Sequence, residues 1–224
     1  KTFGSLIQVP DALAKMLPEL HEIIEEQIDS PDIFAQHTAK SLLPLIKQAE
    51  ILARKYDAVV ANPPYMGAKA FTPEVKIWLK SFYRDYDKDL FSAFIARMLT
   101  LTKDVGYLGV MTSFVWMFIA SFEKLRERII TKYDIKSLIQ LHYDAFIDAK
   151  AHICTFVVQN ERIENQKSSY IRLVDFPGID NQAPKTLEAI RNHECGWFYE
   201  ANQDEYKKVP CSPIAYWISN FRPF

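Results

Sequence analysis

The feature that most constrains this chain is a short apolar run that ends at two consecutive prolines. Residues 58–61 are Ala-Val-Val-Ala, and Asn62, Pro63, Pro64 and Tyr65 follow directly. A short valine-rich run bounded by breakers is typical of a buried strand. Proline lacks the N–H group that a sheet requires, so the strand has to end at Asn62. The Asn62 amide, the Pro63 carbonyl and the Tyr65 ring therefore lie at the carboxyl end, where open α/β sheets bind ligands.

The segments after this motif alternate between helical and strand-like patterns. Asp89 precedes a helical apolar stripe, and residues 107–112 form the next predicted strand. The order strand, helix, strand predicts a parallel pair. Residues 135–141 form a third predicted strand. Residues 151–158 follow it too closely for a helical crossover, so we expect these two strands to pair antiparallel. The fold class predicted is α/β.

The regions on either side of these strands differ in character. Residues 1–55 carry two helical patterns, which Pro18 and Pro44 interrupt, and predict a helical segment leading into the α/β domain. Residues 56–165 form the predicted α/β domain itself. Residues 166–224 are rich in loops and prolines and predict a linker. Because the chain lacks an initial methionine and closes on an aromatic run, we interpret it as a piece of a longer protein.

Composition and charge exclude several classes of protein. The net charge of -1 gives no overall basic field, which argues against a free-standing nucleic-acid binder. The three cysteines are odd in number and contain no CxxC pair. They predict neither a metal site nor a disulfide framework, and they favour a reducing cytoplasm. No apolar run reaches the length of a membrane span, so we expect a cytoplasmic protein without a membrane partner.

The Asn62-Pro63-Pro64-Tyr65 motif resembles the signature of the amino-methyltransferases, which use S-adenosylmethionine to methylate an exocyclic or amide nitrogen. The resemblance covers about residues 56–160. It implies the second half of a class I, Rossmann-like methyltransferase domain, with a mostly parallel sheet and an antiparallel last strand. The head and tail of the chain look similar to the large adenine methyltransferases of BREX phage-resistance systems and to related bifunctional type IIG restriction-modification enzymes.

This resemblance implies an activity and its partners. The activity is that of a site-specific DNA adenine-N6 methyltransferase in restriction-modification or phage defence. The implied partners are double-stranded DNA and other subunits of the defence system. The linker of residues 166–224 would lead toward a target-recognition domain.

The resemblance also assigns roles to individual residues. Phe94 matches the aromatic that packs against the adenine of the cofactor, and Asn62 borders the same cofactor. Residues 144–149 resemble the loop that offers an aromatic to a flipped base, where Phe146 is the matched position. Tyr65 would stack on that base. Ordinary core packing is the alternative for Phe94 and for Phe146.

One family feature is missing from the chain. The glycine-rich cofactor loop lies upstream of the motif in the family, whereas only two helical patterns stand upstream here, and no GxG occurs. The main binding loop for S-adenosyl-L-methionine is therefore absent. We expect the chain to hold the target-base half of the active site, to bind the cofactor poorly by itself and to have no turnover.

The motif suits methyl transfer to nitrogen on chemical grounds. The lone pair of an adenine amino group is delocalised into the ring, and two acceptors on its N–H groups would turn the lone pair toward the methyl donor. The Asn62 side-chain oxygen and the Pro63 carbonyl can supply these acceptors, and Pro64 stiffens the turn. His142 and His152 have no carboxylate partner fixed by spacing, and we interpret both as structural.

Two alternatives remain at the level of sequence. The same acceptors suit a protein glutamine or RNA adenine methyltransferase. A non-catalytic methyltransferase-like module that only docks partners is the second alternative. Replacement of Asn62 would separate a catalytic role from a docking role.

Overall fold

The computed structural model describes residues 3–147 and 150–218. The chain divides into two compact units, Lys1–Lys55 and Tyr56–Phe224. Positions 148–149 of the predicted base loop lie outside the described residues, as do residues 1–2 and the last part of the predicted linker, residues 219–224.

The first unit contains two long helices, α1 (Asp11–Glu26) and α2 (Ile33–Ala53). Both helices were predicted to be interrupted by proline. Pro18 lies inside α1 and Pro44 inside α2, and each helix continues on both sides of its proline. Each proline removes one backbone hydrogen bond without ending the helix.

The second unit is built on a six-stranded sheet with the order β1-β2-β4-β3-β5-β6. The strands are Tyr56–Ala61 (β1), Thr102–Ser113 (β2), Asp134–Gln140 (β3), Ile153–Gln159 (β4), Lys167–Arg172 (β5) and Phe198–Asn202 (β6). β1, β2, β3 and β5 run in one direction, whereas β4 and β6 run in the other. The parallel pairing of β1 with β2 and the antiparallel pairing of β3 with β4 are confirmed.

The helices of the second unit connect and cover these strands. They are α3 (Pro73–Phe82), α4 (Leu90–Leu101), α5 (Glu123–Lys132) and α6 (Ile179–Arg191). Thr72 caps α3, because its hydroxyl accepts the N–H of Val75 at 3.4 Å. Among the helices that the structure describes, none is both long and apolar enough to cross a membrane.

The main core lies between the sheet and helices α4 and α5. Eight residues of α4 are buried, so this helix is enclosed on most sides. The core also takes in apolar side chains from α5 and from the inward faces of β2, β3, β4 and β5. A smaller cluster joins Ile171 and Leu173 to Ala189 of α6. The prediction that β1 is a buried strand is wrong: Val59 packs against the main core, whereas the next residue, Val60, is 83% exposed, and no residue of β1 is fully buried. β1 stands at the end of the strand order, where it pairs with β2 alone.

The region after residue 165 is more ordered than the sequence predicted. β5 and β6 extend the sheet, α6 covers part of it, and a 3-10 helix, Gln203–Lys208, follows. Gln203 is 1% exposed, accepts the N–H of Ile135 and donates to the carbonyls of Ile130 and Tyr133. The description of residues 166–224 as a loop-rich linker is therefore corrected for the part that builds this sheet and its core.

A buried arginine ties the end of the described chain to the domain. Arg126 of α5 is fully buried. Its guanidinium donates to the carbonyls of Trp116 at 2.7 Å, of Ile119 at 2.6 Å and of Cys211 at 2.7 Å. A buried cation is tolerated only when its donors are used, and here three carbonyls from two distant segments use them.

A second arginine links β3 to the 3-10 helix. Arg162 donates to Asp134 at 2.8 Å and to Asp204 at 2.5 Å. Burial alone would raise the pKa of the Asp204 carboxyl. Hydrogen bonds from Arg162, Lys207 and the backbone N–H of Asn165 outweigh that effect and hold the pKa well below its usual range.

The segment from Lys103 to Gly106 has the sequence Lys-Asp-Val-Gly, which indicates a helix stop after α4, but it lies inside β2. The register of β1 with β2 passes from Tyr56↔Thr102 to Ala58↔Tyr107, so this segment bulges out of the ladder. A Cβ atom on Gly106 would stand 2.9 Å from the carbonyl oxygens of Asp57 and Lys103. Both contacts are with backbone, so glycine is required at this position.

Replacement of Gly106 by alanine is expected to lower the free energy of unfolding by about 1–3 kcal/mol, because the methyl group would push β1 away from β2. The matched control is Gly109→Ala in the same strand, where the nearest atom to the new methyl group is Val60 Cγ2 at 3.8 Å. That change should leave the stability unchanged or raise it by up to about 1 kcal/mol. Urea denaturation of both variants measures the difference, and equal effects would contradict the crowding described at Gly106.

Replacement of Asp204 by asparagine is expected to lower the stability at pH 7 by about 1–3 kcal/mol, because charged hydrogen bonds are lost. The folded pKa lies below the ordinary carboxyl value of 3.8. The contribution of Asp204 is therefore complete above that value and is lost as the pH falls below it. Urea midpoints at pH 7 and pH 3 should show a smaller difference from wild type at pH 3. The exposed Asp104, changed to asparagine, is the control, and a difference that grows toward low pH would contradict this assignment.

Candidate active site

The motif residues lie where β1 ends at the carboxyl edge of the sheet. The ladder with β2 runs to Ala61↔Val110 and stops before the two prolines. Asn62 and Pro64 are exposed, Pro63 is buried, and Tyr65 is 39% exposed. The burial of Pro63 fixes the turn against the domain and leaves the polar group of Asn62 at the surface.

Asn62 and Tyr65 contact each other directly. The Tyr65 hydroxyl donates to the Asn62 side-chain oxygen at 3.0 Å. Partial burial raises the pKa of Tyr65, so the hydroxyl keeps its proton and remains a donor at neutral pH. The oxygen predicted to accept a substrate N–H therefore already holds a donor from its own chain.

The loop after Tyr65 is held by the start of α4. Asp89 is the N-cap of this helix, and its Oδ1 accepts the N–H of Phe91 at 3.2 Å and the N–H of Met66 at 3.0 Å. The Leu90 N–H donates to the Met66 carbonyl at 3.0 Å. Gly67 forms an isolated antiparallel bridge with Asp89.

The ring of Tyr65 is supported by the same helix. Phe91 is 1% exposed and belongs to the main core. Its ring meets the Tyr65 ring edge to face, with centroids 6.5 Å apart and an interplanar angle of 86°. This arrangement is favourable for aromatic pairs and leaves part of the Tyr65 ring open to solvent.

Phe146 lies in the connection from β3 to β4 and is partly buried. The neighbouring Ala145 is buried, and its N–H donates to the His142 carbonyl at 3.1 Å. β3 runs in the same direction as β1, so Phe146 and Tyr65 follow strands that end at the same edge. In the sheet, β2 and β4 lie between β1 and β3. The ends of β1 and β3 are therefore three strand spacings apart, or roughly 14 Å. The predicted role of Phe146 as a second stacking surface for the base stays a prediction.

Phe94 lies on the second turn of α4 and is partly buried against the main core. This packing accounts for the aromatic side chain without any ligand. Its predicted contact with a cofactor stays a prediction.

The two histidines near this edge have structural surroundings. The His142 ring nitrogen Nδ1 accepts the N–H of Asp144 at 3.0 Å. The His152 ring lies 5.0 Å from the Phe114 ring and 5.0 Å from the Tyr143 ring, measured between centroids. The interpretation of both histidines as structural agrees with these contacts.

Sequence reasoning did not identify the contribution of Asp89 and Phe91 to this site. The signal for a helix start at Asp89 was visible, but its bond to Met66 joins residues 23 positions apart. Local patterns carry no information on such a contact.

Comparison with known proteins identifies the family of the chain. Residues 11–146 match the family described as Eco57I restriction-modification methylase. The chain is 36% identical over 226 residues to the adenine-specific methyltransferase BrxX of Escherichia coli O9:H4 (strain HS), covering 98% of this chain and 18% of BrxX. It is 33% identical over 178 residues to the adenine-specific methyltransferase PglX of Lacticaseibacillus casei (strain Zhang), covering 78% of this chain and 15% of PglX. The chain thus spans less than a fifth of the length of either relative.

A solved structure supports the fold. The methyltransferase subunit of a type I restriction-modification system from Streptococcus thermophilus matches with a TM-score of 0.53 at 16% identity, covering 71% of this chain and 37% of that subunit. The predicted class I methyltransferase fold is confirmed, and so is the resemblance to the methyltransferases of restriction-modification systems. Because the family match takes in more than half of its residues, this chain belongs to the Eco57I restriction-modification methylase family.

Proposed function

We propose that this chain forms the methyl-acceptor half of the active site in an S-adenosylmethionine-dependent DNA adenine-N6 methyltransferase. The observation that carries the proposal is the placement of Asn62 and Tyr65 at the carboxyl edge of the sheet, directly after a strand that two prolines end. The whole protein would act in restriction-modification or phage defence in the cytoplasm. The names of BrxX and PglX support adenine as the target rather than glutamine.

The chemistry of the site is positioning and electrostatics. The Asn62 oxygen and the Pro63 carbonyl accept the two N–H groups of the target amino nitrogen and turn its lone pair outward. The buried Pro63 and the rigid Pro64 keep both acceptors in place before the substrate arrives. Acceptors that are already in place need no reorganisation during the reaction. Sites of this kind gain most of their rate from this preorganisation.

The Asn62 oxygen has two lone pairs, and we propose that the substrate amino group takes the place of the Tyr65 hydroxyl there when Tyr65 turns toward the base. The bond from Tyr65 is 3.0 Å long and lies at the surface, so water can take over the hydroxyl when the ring moves. One hydrogen bond is exchanged for another, and exchanges of this kind change the free energy little. Tyr65 is then free to stack on the base.

The described residues fit only one side of a cofactor site. S-adenosylmethionine supplies the methyl group when it is bound. Phe94 keeps an exposed part on α4 and, together with Asn62, would border the cofactor. The chain holds no GxG loop to cradle the rest of the molecule. We therefore propose that tight binding of the cofactor needs residues outside this chain.

Double-stranded DNA is the proposed partner, with other defence subunits as further partners. An adenine has to leave the duplex to reach Asn62, at a cost of a few kcal/mol. Tyr65 and Phe146 would offset this cost by stacking on the two faces of the base. Stacking on an aromatic side chain contributes about 1–3 kcal/mol per base in single-strand binders.

Replacement of Asn62 by alanine in the whole protein is expected to lower kcat for adenine methylation by at least about 100-fold, because one pre-placed acceptor is lost. The measurement is methyl incorporation into duplex DNA together with the N6-methyladenine content of the genome. Asn181→Ala, an exposed change in α6, serves as the control and should leave activity unchanged. Persistence of N6-methyladenine in the Asn62 variant would exclude a catalytic role and favour a docking module.

Replacement of Tyr65 or Phe146 by alanine is expected to weaken base flipping by about 1–3 kcal/mol each, because each change removes one stacking surface. Fluorescence of 2-aminopurine at the target position reports the unstacked base. Tyr65→Phe keeps the ring and should retain most of the flipping. Phe82→Ala removes an exposed ring from α3 and is the control. A Phe146 variant with wild-type fluorescence would show that its ring is ordinary packing.

A further inference from the structure

The loop that carries the motif has a support outside the motif itself. Met66 follows Tyr65, and both of its backbone polar groups are bound by the start of α4. Its N–H donates to Asp89 Oδ1 at 3.0 Å, and its carbonyl accepts the N–H of Leu90 at 3.0 Å. The Ala68 N–H donates to the Lys88 carbonyl at 3.0 Å on the other side of the bridge.

Asp89 is the only side chain in this set of contacts, because the other bonds are between backbone groups. One oxygen atom of Asp89 serves two donors, since it also accepts the N–H of Phe91 at 3.2 Å. The carboxylate therefore joins the first turn of α4 to the residue after Tyr65. Phe91, two residues after Asp89, packs edge to face against the Tyr65 ring.

We propose that Asp89 is a positioning residue for methyl transfer, which holds the Asn62–Tyr65 turn at the distance from the target nitrogen that the reaction needs. This inference rests on the proposed function. Asp89 does not touch the substrate: it acts through the backbone of Met66. A misplacement of about 1 Å in such a site lowers the rate on the order of 100-fold.

The stiff part of the turn makes this support effective. Pro63 and Pro64 allow little backbone rotation between Asn62 and Tyr65. A displacement at Met66 is therefore passed on to Tyr65 and to the hydrogen bond between Tyr65 and Asn62, rather than being absorbed within the turn. The prolines do not restrict the backbone after Tyr65. The Asp89 carboxylate fixes the turn there, through the N–H of Met66.

The test compares Asp89→Ala and Asp89→Asn in the whole protein. Asp89→Ala is expected to lower kcat for adenine methylation on the order of 100-fold with little change in KM for DNA. Asparagine is as good an N-cap as aspartate and keeps an oxygen that can accept both N–H groups. Asp89→Asn should therefore restore most of the rate.

The matched control is Asp32→Ala. Asp32 is also an N-cap aspartate whose Oδ1 accepts two backbone N–H groups, from Phe34 at 2.9 Å and from Ala35 at 3.4 Å, but it caps α2 in the first unit. Its loss weakens a helix start in the first unit. The rate should stay at the wild-type level even if the melting temperature falls.

Hydrogen exchange gives a readout that does not depend on catalysis. The Met66 amide should exchange faster in Asp89→Ala than in wild type, and at the wild-type rate in Asp32→Ala. Unchanged exchange and an unchanged kcat in Asp89→Ala would overturn the positioning role. The positioning role would also be overturned if Asp89→Asn lost as much rate as Asp89→Ala while its Met66 amide exchanged at the wild-type rate. The reaction would then need the charge of Asp89 rather than its hydrogen bonds. If the wild-type protein does not methylate adenine, the proposed function is refuted. The exchange measurement would still decide whether Asp89 holds the loop.

Discussion

The parallel pairing of β1 with β2 is the constraint on which the candidate site depends. Two parallel neighbours cannot be joined by a tight turn, so the chain has to return along the sheet before it enters β2. That return is made by α4, which is buried along most of its length. A helix that brings the chain back must begin near the end of the first strand. The first turn of α4 therefore lies beside the loop after β1, and this topology brings Asp89 and Phe91 to the motif.

Local features of the sequence predicted much of the fold. The valine-rich run before Asn62 and the hydroxyl of Thr72 before Pro73 are signals that need no knowledge of distant residues. The sequence also predicted that β4 pairs antiparallel with β3, because the connection is too short for a helix. It did not predict that β4 would lie between β2 and β3. Pairing with β2 joins residues about 45 positions apart, such as Val110 and Phe156, and is specified by the packing of the whole core.

Two elements were missed, each for its own physical reason. β6 is a five-residue strand that pairs with β5, and none of its residues is fully buried. It therefore lacks the apolar alternation that marks a strand. The Lys103–Gly106 segment reads as a turn because it contains one: Val105 has a positive φ of 63°. The sequence could not show that the strand continues on both sides of it. For the site, the end of the strand before two prolines and the resemblance of the motif predicted Asn62 and Tyr65, whereas the support from Asp89 depends on the tertiary fold.

The central position of β4 bears on how the chain is made. β2 and β3 are synthesised before β4, yet neither pairs with the other in the finished sheet. A growing chain that has passed β3 holds two strands whose facing edges have no partner, and unpaired edges of this kind readily join other chains. The middle of the sheet can close only after residue 159 has left the ribosome. Non-local pairing of this type folds slowly, so the interval before β4 emerges is the period in which this domain most needs protection by chaperones.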